Sequence, residues 1–291
     1  MSAQPGYSKN ESLADRMKRY ESVTDLRLVP GIPVYVRLDQ RAGHTFTRNL
    51  RKPFDHVYMD AMYSATKVLF EQTNPIVPYT QSDEASFVYE CPEKMPFEGR
   101  LFKIQSVLAS QFATAFAIGG TRTGNAVLDD SSQFASAVTY NPPSFDCRVF
   151  QMPLEECANM ILWRQRDCIK NSITLAALQE FSIKELEGKD SEDKIAMLAE
   201  KGIDYGSAYL EEERLGTFVR KDAVTRRLNE YEKNLIPPDK LPQPDLFGDV
   251  WVTRNVVGKV SFGRPLDGIS NRKEVLFEKK NPIFTFPSTT A

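Results

Sequence analysis

Histidine is scarce in this chain: only His44 and His56 occur in 291 residues, beside two tryptophans and four cysteines. Cys91, Cys147, Cys157 and Cys168 show no Cys-x-x-Cys spacing, so nothing marks a zinc site and the cysteines read as reduced structural thiols. Reduced thiols fit a cytosolic compartment, and a cytoplasmic location is the expectation. An excess charge of one sign is also missing, since 37 Lys and Arg meet 39 Asp and Glu for a net charge of -2. That balance excludes a polycation that binds nucleic acid indiscriminately and leaves only local basic patches for such contacts. Internal repeats are absent, which removes solenoid and propeller architectures. The opening MSAQPGYSKNES has no basic stretch followed by an apolar one, so no secretion signal is expected there. The longest uncharged run, Ile104 to Thr121, is broken by Gln105, Ser106, Ser110, Gln111 and Thr114. Burying those side chains in hydrocarbon is costly, so the run predicts a buried helix and no membrane contact.

What is present is ordinary in bulk and specific in pattern. Hydrophobic residues make up 41% of the chain, and the length suits one large domain or two modest ones with a substantial core. Pro33 to Leu38 (PVYVRL) reads as a strand feeding a loop, with Asp39 at its end. Phe54 to Phe70 has apolar residues at helical spacing, with Asp55 near its start as a cap or first-turn acid. Ile76–Thr80 and Ala85–Tyr89 read as strands joined by the polar turn Gln81-Ser82-Asp83-Glu84. A helix from Gly99 to Ile118, ended by Gly119-Gly120, precedes a fourth strand, Phe145 to Met152.

The order strand, helix, strand, strand, helix, strand is that of an α+β, ferredoxin-like βαββαβ core of the polymerase-palm kind. Three regions are expected: a palm-like catalytic core over 1–152, a helical region over 153–235 completing the catalytic domain, and a Pro-rich accessory segment over 236–291. Pro153 suits a helix start and Trp163 is expected in the core. Val250–Val252 and Val256–Phe262 look like short strands. Arg214, Arg220, Lys221, Arg226 and Arg227 read either as an RNA-backbone patch or as a solvated helix face.

This fold brings Asp39 and Asp83 from distant sequence to one end of one sheet, with Glu84 beside them. Hard oxygen donors from strand ends suit Mg²⁺, which takes one or two protein carboxylates and leaves its other positions to water and phosphate. Two such ions are the usual device for nucleotidyl transfer. An isolated loop Asp is more often just a solvated turn residue, but here the neighbours are cationic. Arg37 and Arg41 flank Asp39, and Ala42-Gly43-His44 is a small-residue loop whose backbone can approach a triphosphate. Arg48, Arg51 and Lys52 follow closely.

The strings RLDQRAGHTFTR (Arg37 to Arg48), RKPFD (Arg51 to Asp55), QSDEASFV (Gln81 to Val88), ASQFATAF (Ala109 to Phe116), FDCRV (Phe145 to Val149) and WRQRDC (Trp163 to Cys168) resemble the tRNA-His guanylyltransferase family. They occur in the family's order and cover Pro33 to Cys168, about half the chain. The resemblance implies a polymerase-like palm that extends RNA in the 3′-to-5′ direction. It implies that Asp39, the backbone carbonyl of Gln40, and Asp83 ligate two Mg²⁺ ions, and that Gln40, Arg41, Ala42, Gly43, His44 and Ser82 cradle a nucleoside triphosphate. Lys52 and Asp55 match positions near that nucleotide; Arg100 and Lys103 match cations for another triphosphate or the RNA 5′ end. Glu84 matches an acid beside the metals whose role stays open. His44 either orders its loop or moves a proton.

The implied substrates are ATP, GTP or other NTPs and tRNA, and the implied assembly is a homo-oligomer, dimer or tetramer. The implied chemistry is activation of the RNA 5′-phosphate by ATP or GTP, attack by the incoming nucleotide's 3′-OH, and loss of pyrophosphate. Such steps need charge neutralisation and in-line positioning more than an acid-base residue. Three departures stand out. The family glycine after the first Asp is Gln40, placing a side chain where backbone meets phosphate. Cys147 replaces another glycine. Ile169 to Leu175 (IKNSITL) stands where eukaryotic members carry a His-Ile-Asn-Asn-Leu-Tyr-Asn stretch. That absence marks the guanylyltransferase-like branch, which repairs 5′-truncated tRNA against a template; dedicated G-1 addition to histidine tRNA is the alternative. A palm-domain nucleotide cyclase or oligonucleotide synthase, and an RNA-binding module without catalysis, are the more distant readings.

Overall fold

The computed structural model describes residues 11–124 and 130–285. The first ten residues, where no secretion signal was expected, and the chain from 286 onward lie outside the described residues. In chain order the elements are α1 (Leu13–Glu21), β1 (Val34–Gln40), the one-turn α2 (Gly43–Phe46), α3 (His56–Thr73), β2 (Val77–Gln81), β3 (Glu84–Tyr89), α4 (Leu101–Gly124), α5 (Asp130–Tyr140) and β4 (Phe145–Gln151). They continue with α6 (Leu154–Ala177), α7 (Ile183–Leu186), α8 (Ser191–Glu200), α9 (Tyr205–Ala208), α10 (Glu211–Leu215), β5 (Thr217–Arg227), α11 (Glu230–Leu235), β6 (Trp251–Val260) and α12 (Arg272–Phe277). The strands form one six-stranded antiparallel sheet in the order β4-β1-β3-β2-β5-β6, so the fold is α+β.

The period-2 alternation of strands sends successive side chains to opposite faces. In β1, Val34, Val36 and Leu38 pack on one face with Ala65 and Leu69 of α3 and with Ile104, Leu108, Phe112 and Phe116 of α4. Tyr35 belongs to the other face, with Tyr79, Val88, Ile161 and Leu162 of α6, Phe218 and Val275 of α12. α4 is long and apolar enough by composition to cross a membrane, yet its Ile104, Leu108, Phe112 and Phe116 are fully buried against the sheet.

Five expectations are corrected here. Gly119-Gly120 does not end α4, which runs to Gly124; these glycines permit close packing, because a Cβ on Gly120 would overlap the Phe134 ring of α5. The β2–β3 turn is only Ser82-Asp83, since Gln81 and Glu84 are buried strand residues. Trp163 is 53% exposed, with the Arg164 guanidinium 4.3 Å from its ring centroid, because the face of α6 that meets the sheet is set by Ile161, Leu162 and Gln165. The basic run from Arg220 to Arg227 is not a helix face: it is β5, laddered to β6 from Phe218↔Val260 to Arg227↔Trp251. The two short runs expected near Val250 and Val256 are one strand, β6.

Candidate active site

Asp39 lies one residue before the end of β1, opposite Glu84 on β3 and Asp146 on β4. Cross-strand partners share a face, so three acids stand in a row, an arrangement that like-charge repulsion disfavours. The next row inward answers it with Arg37 flanked by Ser86 and Arg148. Arg37 reaches Asp39 at 3.6 Å and Glu84 at 3.4 Å, and Arg148 reaches Asp146 at 2.7 Å. From α6, Arg164 closes on Glu84 at 2.9 Å and on Asp167 at 2.6 Å. Glu84 is therefore a buried acid held by two arginines. Burial still pushes its carboxyl up to about 7, against the opposing pull of Arg164 and Arg37.

Asp83 is fixed from two sides. Its backbone carbonyl accepts from the Gln40 N–H at 2.9 Å, tying the turn to β1, and Ser82 before it takes a positive φ of 47°. The chain beyond β1 returns through Ala42, also left-handed at φ 56°, and lays Gly43 against Asp83 so closely that a Cβ there would overlap Asp83 Oδ2. Burial raises the Asp83 carboxyl above its ordinary range, and the negative charge of Asp39 adds to the shift.

The Gln40 side chain does not crowd this site. It is buried on the face away from Asp39, where its Oε1 accepts from the Tyr58 hydroxyl at 2.6 Å. The expected obstruction of phosphate at this position is thereby overturned, since strand alternation turns the side chain inward. Cys147 is a buried apolar neighbour of Leu38, its thiol pushed up to about 12 by burial.

A cavity of about 340 Å³ opens beside Asp83 and is lined by Gly43, His44, Lys52, Asp55 and Ser82 among the expected residues. Lys52 crosses to the Thr47 carbonyl at 2.8 Å, and Asp55 caps α3 by accepting from the Tyr58 N–H at 2.8 Å and the Arg51 N–H at 3.1 Å. Asp39 stands next to Asp83 at the sheet's end but, like Arg37, Gln40, Arg41 and Ala42, is not among the residues that line the cavity. Arg100 and Lys103 line a different one, with Lys18, Glu21 and Asp25, and Lys103 sits 5.2 Å over the Phe97 ring.

Four residues to which the sequence reading gave no role take part. Asn171 and Thr174 of α6 line the cavity opposite the Gly43 loop, Arg164 holds Glu84, and Asp146 extends the acidic row. The period-2 pattern of FDCRV against RLDQR was the available signal for Asp146. Among the described residues no group of three or more His, Cys, Asp or Glu has metal-binding geometry. The Asp39–Asp83 pair is an all-oxygen donor set, and its mutual repulsion is what a divalent cation relieves. That donor set fits Mg²⁺, which keeps most of its coordination for water and phosphate.

A family model described as tRNAHis guanylyltransferase matches residues 14–153. The chain is 33% identical over 149 residues to a probable tRNA(His) guanylyltransferase of Mus musculus, covering 50% of this chain and 46% of the relative. It is 26% identical over 206 residues to an uncharacterized protein of Acanthamoeba polyphaga mimivirus, covering 66% of this chain and 70% of that one. Thus the chain spans about half the length of the mouse relative. Among solved structures, a bacterial tRNA(His) guanylyltransferase-like protein in complex with ATP superposes with a TM-score of 0.61 at 27% identity, covering 84% of this chain and 91% of the other. Fold, paired aspartates and these likenesses define a nucleotidyltransferase family. That family is the tRNA(His) guanylyltransferases, to which the chain is similar over residues 14–153.

Proposed function

We propose that the chain is a Mg²⁺-dependent nucleotidyltransferase that adds nucleotides to the 5′ end of tRNA, and that its task is template-dependent repair of 5′-truncated tRNA. The observation that carries the reading is the placement of Asp39 and Asp83 at one sheet end, with the Gly43 loop pressed onto Asp83 above a cavity that holds Lys52. The first four strands in the order β4-β1-β3-β2 support a ferredoxin-like, palm-type core under that site. Asp39, Asp83 and the Gln40 carbonyl are the groups that would hold Mg²⁺, which when bound supplies charge neutralisation at the reacting phosphates. Lys52 adds a cation on the cavity wall. The small residues Ala42 and Gly43 let backbone approach a triphosphate. Asp55 keeps the Lys52 turn in register with α3 through its two backbone hydrogen bonds. Glu84, tied to Arg37 and Arg164, acts on the position of Asp39 and Asp83 rather than as a ligand. Arg100 and Lys103, on their separate cavity, are assigned to the RNA 5′ end or a second triphosphate. A cytoplasmic homo-oligomer using ATP or GTP for activation completes the proposal.

The test is incubation with Mg²⁺, ATP and labelled NTPs on two 5′-monophosphorylated tRNAs, a full-length histidine tRNA and one lacking its first nucleotide, followed at nucleotide resolution. Template-matched extension of the truncated tRNA, with little addition to the intact one, is the expected result. Addition of G chiefly to intact histidine tRNA would replace repair by dedicated G-1 addition, the activity in the mouse relative's name. No extension of either would overturn nucleotide addition to tRNA.

A further inference from the structure

The segment from Gly43 to Asn49 borders two cavities. Gly43, His44 and Thr47 line the one beside Asp83, whereas Thr45, Phe46 and Asn49 line a second, of about 550 Å³, completed by residues of α5 and by Asn141. Its volume falls within the roughly 300–1,000 Å³ of small-molecule sites. The composition of its wall is selective. Among the described residues no charged side chain lines it; Asn49, Gln133 and Asn141 bring three carboxamides, each both donor and acceptor. Tyr140 stands at its rim with 87% of its surface exposed.

A phosphate would call for cations in the wall and an apolar ligand for aliphatic lining; neither describes this cavity. A neutral planar heterocycle with mixed donors and acceptors on its edge and a π-face for stacking fits it, and that is a nucleobase. The frame is rigid. Phe46 and Phe134 meet with ring centroids 5.6 Å apart, and both meet Phe116, so α5 is anchored to the loop that borders Asp83. Arg41 and Arg48, exposed on or just before the shared segment, add positive charge alongside for a nucleic-acid backbone.

We infer that this second cavity binds a nucleobase, stacked on Tyr140 and read by the carboxamides of Asn49, Gln133 and Asn141. The inference rests on the nucleotide-addition reading for its biological sense. The base comes either from an unpaired residue of the RNA acceptor or from a free nucleotide, and binding measurements separate the two.

The test compares wild type, Tyr140→Ala and Tyr140→Phe for equilibrium affinity toward 5′-monophosphorylated tRNA without NTP, and toward NTP without tRNA. In parallel, tRNA carrying 4-thiouridine near either end is photocrosslinked and the attachment site mapped. Tyr140→Ala is expected to weaken tRNA binding roughly tenfold, the usual loss of one base–aromatic stack, while Tyr140→Phe binds normally and crosslinks fall at α5. The same loss confined to NTP affinity would keep the base site and make its occupant a free nucleotide. Unchanged affinities for both, with no crosslink at α5 or Asn49, would overturn the inference. These readouts need no turnover, so an inactive wild type would count against the proposed function and leave this site to be judged by binding.

Discussion

At Gly43 one added carbon is enough to disturb the site, because it would occupy the space of Asp83 Oδ2. Gly43→Ala is expected to cut kcat for nucleotide addition by about a hundredfold, the cost of displacing a reacting group by about an ångström, while the thermal midpoint falls only slightly. Steady-state kinetics beside a melting curve checks both. Glu84 gives a pH signature. Its folded pKa of about 7 lies above the ordinary 4.5, so the folded state holds the extra proton. The associated stability is present below about pH 4.5 and is lost as pH rises through 7, on the order of 3 kcal/mol in total. Urea titrations of metal-free protein between pH 5 and 8 should show this fall, and Glu84→Gln should flatten it. Asp39 and Asp83 were legible in the sequence because strand ends and turns leave local marks. Arg164 was not: its partner Glu84 lies 80 positions away along the chain, and nothing in WRQRDC tells which arginine faces the sheet.

Among the elements, β5 was the least legible. Only Thr217, Phe218 and Val219 are buried; beyond them charges fall on both faces, so the alternation that reveals a half-buried strand is missing. The strand is fastened at its start. Gly216 takes φ 72°, and a Cβ there would meet Tyr79, Gln81 and the Thr80 carbonyl, where β5 joins β2 through Tyr79↔Phe218 and Thr80↔Thr217. Gly216→Ala combines positive-φ strain with that overlap and should cost about 2 kcal/mol or more, read as a lower urea midpoint. α6 carries a second point of dependence. Arg164→Ala leaves Glu84 buried with one arginine fewer and should cost about 3 kcal/mol, again by urea denaturation. The β1–β3 and β1–β4 ladders were foreseeable since Val34 to Leu38 and Phe145 to Val149 follow period 2 closely.

For the whole molecule, the core forms without a cation: both faces of the sheet are closed by Phe, Leu, Ile and Val clusters that include neither Asp39 nor Asp83. Chelation with EDTA should therefore abolish nucleotide addition while leaving the far-UV spectrum and the melting cooperativity intact, and returned Mg²⁺ should restore turnover. A loss of cooperativity on chelation would show instead that the ion is structural. The segment that separates the two cavities has a wider effect. Thr47 lines one and Asn49 the other, with Phe46 anchored in the core between them. Substitutions here are pleiotropic: a change selected for one ligand is paid in fit to the other, so the two preferences evolve as a linked pair.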